Sequence, residues 1–312
     1  MNPAQLPNIS DKAVISYILQ DLSGATTNSW AGRIANRFQS TTASELYAGL
    51  GNAPLMREWV GAKLAKQLKE YPFRIDNKDW ESTLEVKVKD LQRDKTGQLM
   101  MRTAQLAMRS IEHEEKLLSQ LIDGGDGTTY GNAYDGTTYF SDTHSIGSSG
   151  TIDNSITYDV TTTTAPTSTE MSAAIMASIQ ALYAFKDDTG EPSNQNEREF
   201  IIMVPTVFWS AAITAITKDR LSANADNPLL NIGLNLSVVQ NPRLTWTTKF
   251  ATFAVSGPVK PLIIQEENPP MVEVLGEDSD WKFHNASHLY SLIKSGNVGY
   301  GRWDKAVLTT LV

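Results

Sequence analysis

The chain has no cysteine, which removes disulfide staples, thiolate metal sites and a cysteine nucleophile together and leaves the redox compartment open. Basic charge is also in short supply: 27 Lys and Arg stand against 35 Asp and Glu, giving a net charge of -8. No run of clustered Lys and Arg occurs, so a surface built to grip nucleic acid phosphates is not expected. Apolar runs are short. Phe200 to Trp209 falls far below the roughly 20 residues that span a bilayer, and no membrane contact is expected. The first residues, MNPAQLPNISDKAVISYILQDLSG, carry two prolines and an acid ahead of the apolar stretch, with no basic n-region. They do not read as a secretory signal, and a soluble protein is expected. A Walker loop, a Gly-x-Gly-x-x-Gly turn and a Gly-x-Ser-x-Gly elbow are all missing from the text, so neither nucleotide chemistry nor a hydrolase elbow has support.

What is present is enough for an ordinary core. Of 312 residues, 41% are hydrophobic and 20% charged, which suits one large domain or two modest ones. Val14, Ile15, Ile18 and Leu22 recur at helical spacing over Lys12 to Leu22, and polar segments follow, which reads as an arm with one helix. Between Met56 and Asp94 aromatic and β-branched residues alternate with charges, as in Tyr71, Phe73, Ile75 and then Leu84, Val86, Val88. Period two with charged intervening positions predicts an exposed strand pair turning near Asp76 to Asp79. Met100, Ala104, Ala107, Ile111, Leu118 and Ile122 then mark the longest helix, Thr96 to Asp123, stopped by Gly124 and Gly125. Thr167 and Glu170 form a capping box for a helix running to Phe185, and strands are expected at Phe200 to Val204, Leu234 to Val239 and Leu244 to Val255. A further helix begins at Pro205 and Thr206. Leu262 to Gln265 and Met271 to Leu275 read as separate strands before a Gly- and Tyr-bearing stretch, Leu289 to Trp303.

Few residues could carry chemistry. His284 and His288 are four apart, but position 285 is Asn, so the His-Glu-x-x-His pattern fails. His113 lies among Glu112, Glu114 and Glu115, where a solvated charged face is the simpler reading. His144 with Asp142 and Ser141 or Ser145 suggests a triad with no elbow to present it. The loop Asp123 to Asp142 is rich in Asp and Gly and holds Asp-Gly-Thr-Thr-Tyr twice, at Asp126 to Tyr130 and Asp135 to Tyr139. It lacks the alternating acids of an EF-hand, and turn chemistry accounts for it better than a calcium site. No catalytic, metal or cofactor residue is therefore assigned.

Three groups of residues together resemble a known family, the major head subunit of Mu-like phages and prophages. The first is Trp59-Val60-Gly61, the Tyr71 to Ile75 strand, Asn77-Lys78 with Trp80-Glu81, Thr83-Leu84, Val86, and the acids Asp90 and Asp94. The second is Tyr134-Asp135-Gly136, Tyr139-Phe140-Ser141 and His144. The third is Pro261-Leu262-Ile263, Pro269-Pro270 and Gly299-Tyr300-Gly301 with Trp303. The likeness covers roughly residues 56 to 305 and leaves the arm unmatched.

The resemblance implies an α+β, HK97-like major capsid fold. Its expected parts are an N-terminal arm over 1–55, an E-loop hairpin over 56–95 and a peripheral domain with the spine helix over 96–165. An axial domain over 166–260 and C-terminal strands returning to the peripheral domain over 261–312 complete it. It further implies a homo-oligomer of pentamers and hexamers in a virion shell, assembled in the host cytoplasm and enclosing double-stranded DNA without sequence-specific binding. A separate scaffolding protein, a portal and a decoration protein are the implied partners. Arg74, Asp76, Lys78, Trp80, Glu81, Glu85, Lys87 and Lys89 are the expected inter-subunit contacts on the hairpin. The alternatives are another virion component, of tail or decoration type, and a metal-dependent enzyme using the Asp123 to Asp142 loop.

Overall fold

A computed structural model describes residues 14–16, 18–20, 29–47, 73–93, 98–222, 225–230 and 232–312. Trp59-Val60-Gly61, Tyr71, Asp94 and part of the expected arm helix lie outside these residues; 14–16 and 18–20 are helical, with Val14 and Ile18 buried. Strands β1 (Ala35–Gln39), β2 (Ser44–Tyr47), β3 (Phe73–Asp76) and β4 (Lys78–Lys87) precede the long helix α1 (Gln98–Asp123). After it come β5 (Ser155–Tyr158), α2 (Ser168–Ala184), β6 (Glu199–Val204), α3 (Trp209–Thr217), β7 (Asn235–Gln240) and β8 (Lys249–Ala254). The chain closes with β9 (Leu262–Leu275), α4 (Asp280–Asn285), β10 (Ser287–Tyr300) and β11 (Ala306–Leu311).

Two sheets organise these elements. The first has the order β7-β6-β8-β11-β5, and α2 and α3 pack against it. Phe200 to Val204 of β6 and Phe250 to Ala254 of β8 are buried throughout, as an apolar run in a strand covered on both faces requires. α2 starts as the text predicts. The Thr167 hydroxyl accepts from the Glu170 N–H at 3.2 Å, and the Glu170 carboxylate accepts from the Thr167 N–H at 2.8 Å. Donors from Thr161 and Thr167 hold that carboxyl down at about 2. The helix expected from Pro205 opens instead as one 3₁₀ turn, Thr206–Phe208, before α3.

The second sheet has the order β1-β9-β10-β4, with β1 parallel to β9 and the other pairs antiparallel. α1, with 26 residues, is a rod of roughly 39 Å that joins the two units. Its Leu118, Leu121 and Ile122 enter the core of the five-stranded sheet, while Leu106 and Ala107 pack with Val86, Tyr290 and Leu292 of the four-stranded one.

Two expectations fail here. Among the described residues, Phe73 to Ile75 and Leu84 to Val88 do not pair with each other. β3 pairs with β2, Ser44 opposite Asp76 and Tyr47 opposite Phe73, and β4 pairs with β10 from Lys78 opposite Gly296 to Lys87 opposite Ser287. Gly299 explains how β3 lies so close to β10, because an added Cβ there would collide with the Ile75 side chain. The second failure concerns Leu262 to Gln265 and Met271 to Leu275, which are halves of one strand. β9 passes through Pro269-Pro270 with register shifts between Glu266 and Asn268 and between Asn268 and Met271, a bulge that absorbs residues unable to donate to a ladder.

Candidate assembly surface

Beyond the double proline, β9, β10 and β4 stack residue by residue. Met271 lies opposite Ile293, which lies opposite Glu81; Glu273, Ser291 and Thr83 make the next row, and Leu275, Leu289 and Glu85 the third. The alternate residues, Val272, Val274, Tyr290, Leu292, Leu84 and Val86, pack beneath α1. Because side chains alternate across a strand, the three rows share the opposite face. There Met271, Glu273, Leu275, Glu81, Thr83 and Glu85 are exposed, and Leu289, Ser291 and Ile293 are half-buried. The result is an apolar strip with an acidic flank.

At the tip of the β9–β10 hairpin, the Ser279 hydroxyl caps α4 by accepting from the Lys282 N–H at 3.3 Å. Ala286, with φ of 50°, ends the helix in the left-handed region. His284 is therefore on a helix and His288 on a strand, so their four-residue spacing does not place them on one helix face. α4 buries none of its residues, and Phe283 is 85% exposed.

The eight residues expected on the hairpin divide among three places. Arg74 and Asp76, on β3, pair with each other at 2.6 Å in solvent. Lys78, Glu81, Glu85 and Lys87 are exposed on β4, the edge strand of its sheet, with Glu85 accepting from the Ser287 hydroxyl at 2.6 Å. Lys89 is exposed in the short helix Val88–Arg93 that follows. Trp80 instead turns inward: its Nε1 donates to the Gly296 carbonyl at 2.9 Å and its ring packs on His113 at 4.4 Å between centroids.

His113 accordingly belongs to a packed junction and not to a solvated face. Burial, with Lys294 and Lys116 nearby, pushes its imidazole down to about 4 against the pull of Glu114. Beside it, Arg37 of β1 bonds Glu114 of α1 at 2.7 Å and Glu266 of β9 at 2.6 Å. Burial opposes the Arg37 charge, but these two carboxylates outweigh it and raise its pKa. One guanidinium thus fastens β1, the long helix and β9 together.

Known proteins resemble this chain in both sequence and fold. Residues 16–167, just under half of the chain, match the family model described as Mu-like prophage major head subunit gpT. The Mu-like prophage FluMu major head subunit of Haemophilus influenzae is 30% identical over 114 residues, and the major capsid protein of Escherichia phage Mu is 27% identical over 139. These alignments cover 36% and 44% of this chain, and 36% and 45% of the two relatives. In three dimensions, a chain of the bacteriophage JBD30 procapsid superposes over 96% of this chain and 74% of its own length, with a TM-score of 0.57 at 19% identity. The chain has the HK97 capsid fold. In sequence it resembles the Mu-like major head subunits.

Within this HK97 fold, the loop after the long helix is a structural joint. The His144 imidazole is fully buried, with Nδ1 2.6 Å from Asp135 and Nε2 3.2 Å from the Tyr139 carbonyl, and it stacks on Trp303 at 4.0 Å. Asp135, not Asp142, is its partner, so the Asp142 triad does not form. The other loop acids are dispersed: Asp123 accepts from the Thr245 N–H at 2.9 Å, and Asp126 pairs with Lys249 at 2.6 Å. The two pentapeptide copies therefore differ in role, the first at the surface with Tyr130 exposed, the second locking Tyr139 inside. Next to Trp303, Arg302 and Asp304 form a buried ion pair. Burial would raise the Asp304 carboxyl, but Arg302, Lys305 and the Ser193 hydroxyl bring it down to about 2.

The apolar rows were missed in the sequence because Met271-Val272-Glu273-Val274-Leu275 has apolar residues on both faces. That pattern was the available signal, since a strand apolar on both sides needs cover on both.

Proposed function

We propose that the chain is the major capsid protein of a tailed bacteriophage, a subunit that assembles into an icosahedral head around double-stranded DNA, and that it is not an enzyme. The observation that carries this reading is the superposition of 96% of the chain on a procapsid subunit. The apolar and acidic face of the four-stranded sheet supports it, since contiguous exposed apolar patches mark interaction sites. On this reading the copies group as pentamers and hexamers in the virion. A separate scaffolding protein, a portal and a decoration protein complete the particle, and assembly takes place in the host cytoplasm. No membrane or cofactor is involved.

We assign the arm to residues 1–55, the peripheral unit to 96–165, the axial unit to 166–260 and the returning strands to 261–312. The segment reaching a neighbour is read over residues 56–95, whose described strands pair as β3 with β2 and β4 with β10. Arg74, Asp76, Lys78, Glu81, Glu85, Lys87 and Lys89 then lie within it as the contacting charges. Surface ion pairs of this kind are weak singly and gain weight by repetition around a ring.

Negative-stain microscopy of the protein expressed with and without the neighbouring head genes tests the reading. Shells or capsomers are expected. Tubes would point to a tail component, and a strictly monomeric mass by light scattering under both conditions would overturn the proposal.

A further inference from the structure

The exposed face of α1 carries a second pattern. Arg102, Arg109 and Lys116 recur every seven residues and are exposed, while Met101 and Met108, also seven apart, are 59% and 52% exposed. At 1.5 Å per residue each repeat advances about 10.5 Å along the helix, so the cations and the methionines run as two lines about 100° apart around it, with Gln105 and Glu112 between them. The same helix buries its opposite side, Leu106 and Ala107, against the sheet, so among the described residues the outward stripe is not packed against that sheet. It is also a basic line on a protein of net charge -8.

We propose that this stripe is a docking site for an acidic amphipathic helix of a partner protein. A seven-residue repeat is the spacing at which two helices wind together, with apolar residues at the seam and charges beside it. Met101 and Met108 supply an adaptable seam, since methionine fits irregular partners. Arg102, Arg109 and Lys116 supply the flank, so the partner carries Asp or Glu at the matching positions. Nucleic acid fits less well. A DNA strand presents a phosphate about every 3.4 Å of axis, a field that neither exposed methionines nor Glu112, 3.8 Å from Arg109, would complement. The same face of a second copy is disfavoured as well, because a self-complementary contact would set like charges together. The site does not depend on the chain forming shells, and its assay reads subunits directly.

The test uses the full chain and a fluorescein-labelled peptide of about three heptads, with Leu at the seam and Glu at the flanking positions. A scrambled peptide of equal composition and a short DNA duplex serve as comparators, all read by fluorescence anisotropy. The heptad peptide is expected to bind better than the scrambled one, with affinity that falls as salt rises. The triple variant R102E/R109E/K116E is expected to weaken it by about tenfold or more. If circular dichroism shows that variant unfolded, R102Q/R109Q/K116Q takes its place, with a smaller loss expected in the same direction. Absence of peptide binding, equal binding of the scrambled peptide or unchanged affinity in the folded triple variant would overturn the proposal. So would DNA that displaces the peptide and loses its own binding in the variant.

Discussion

In the five-stranded sheet, β6 and β8 bury both faces, and helices α2 and α3 pack on the sheet, α2 against β8 and β11 and α3 against β7. In the four-stranded sheet, β9 and β10 above the double proline bury one face under α1 and leave Met271 and Leu275 exposed on the other. Both regions are rich in apolar residues, yet among the described residues β6 and β8 bury theirs on both faces while β9 leaves one face open. On the proposed function, the difference separates what makes the chain fold from what lets it meet other copies. Burial inside the chain sets stability, whereas apolar surface left open sets association. Mutations in the two sheets should therefore move different observables.

Phe253→Ala should have the largest effect on folding. Its ring is fully buried on the central strand β8, and removing it should lower unfolding free energy by about 3–5 kcal/mol, read from urea titration. A loss below about 1 kcal/mol would mean that the five-stranded sheet is not the self-sufficient core described. Asp304→Asn should come next, at about 3 kcal/mol, because it leaves the Arg302 charge buried without its carboxylate. Asp304 titrates at about 2 in the folded chain, below its ordinary 3.8. Its contribution is thus present above the ordinary carboxyl range and is lost as pH falls through about 2. Between those limits the parent should shed stability that the Asn variant no longer has to lose, and parallel acid titrations of the two proteins would contradict the assignment. The smallest folding effect belongs to Leu275→Ser with Phe283→Ser, both exposed. Stability should stay within about 0.5 kcal/mol while particle yield on a density gradient drops. A melting temperature lowered as far as that of Phe253→Ala would erase the contrast between the two sheets.

The distinction was partly legible in the text. The apolar run Phe200 to Val204 and the Thr167 and Glu170 capping box are local signals, and the structure realises both. The long helix was legible for the same reason, since its stripe and its Gly124 stop need no knowledge of the rest of the chain. What escaped was partner choice. Ser44 to Tyr47 is too short and polar to announce itself as the mate of Phe73 to Asp76, and β4 finds its partner some two hundred residues away. Strand pairing over such distances depends on which faces must be covered, which period two alone does not specify. Asp135 was overlooked as the partner of His144 because Asp142 is nearer along the chain, although the turn returns the earlier acid to the imidazole. On the candidate surface, β9 was divided at its two prolines and taken for two strands, so the apolar rows beyond them went unread.

Those prolines also limit how far the sheet can be extended from outside. Among the described residues, β1 covers β9 only up to Gln39 opposite Glu266, so the next stretch of β9 would otherwise offer an uncovered rim. Successive amides in a strand point to opposite sides, and with Pro269 and Pro270 adjacent, one donor is missing on each side whichever way the strand faces. A stray strand that tried to zip along this rim would meet a gap and a kink within two residues. Edge-to-edge templating is the main hazard for β-rich chains gathered at high local concentration. On the proposed function, a break at this position lets copies crowd together through their side chains while denying the backbone a route to fibres.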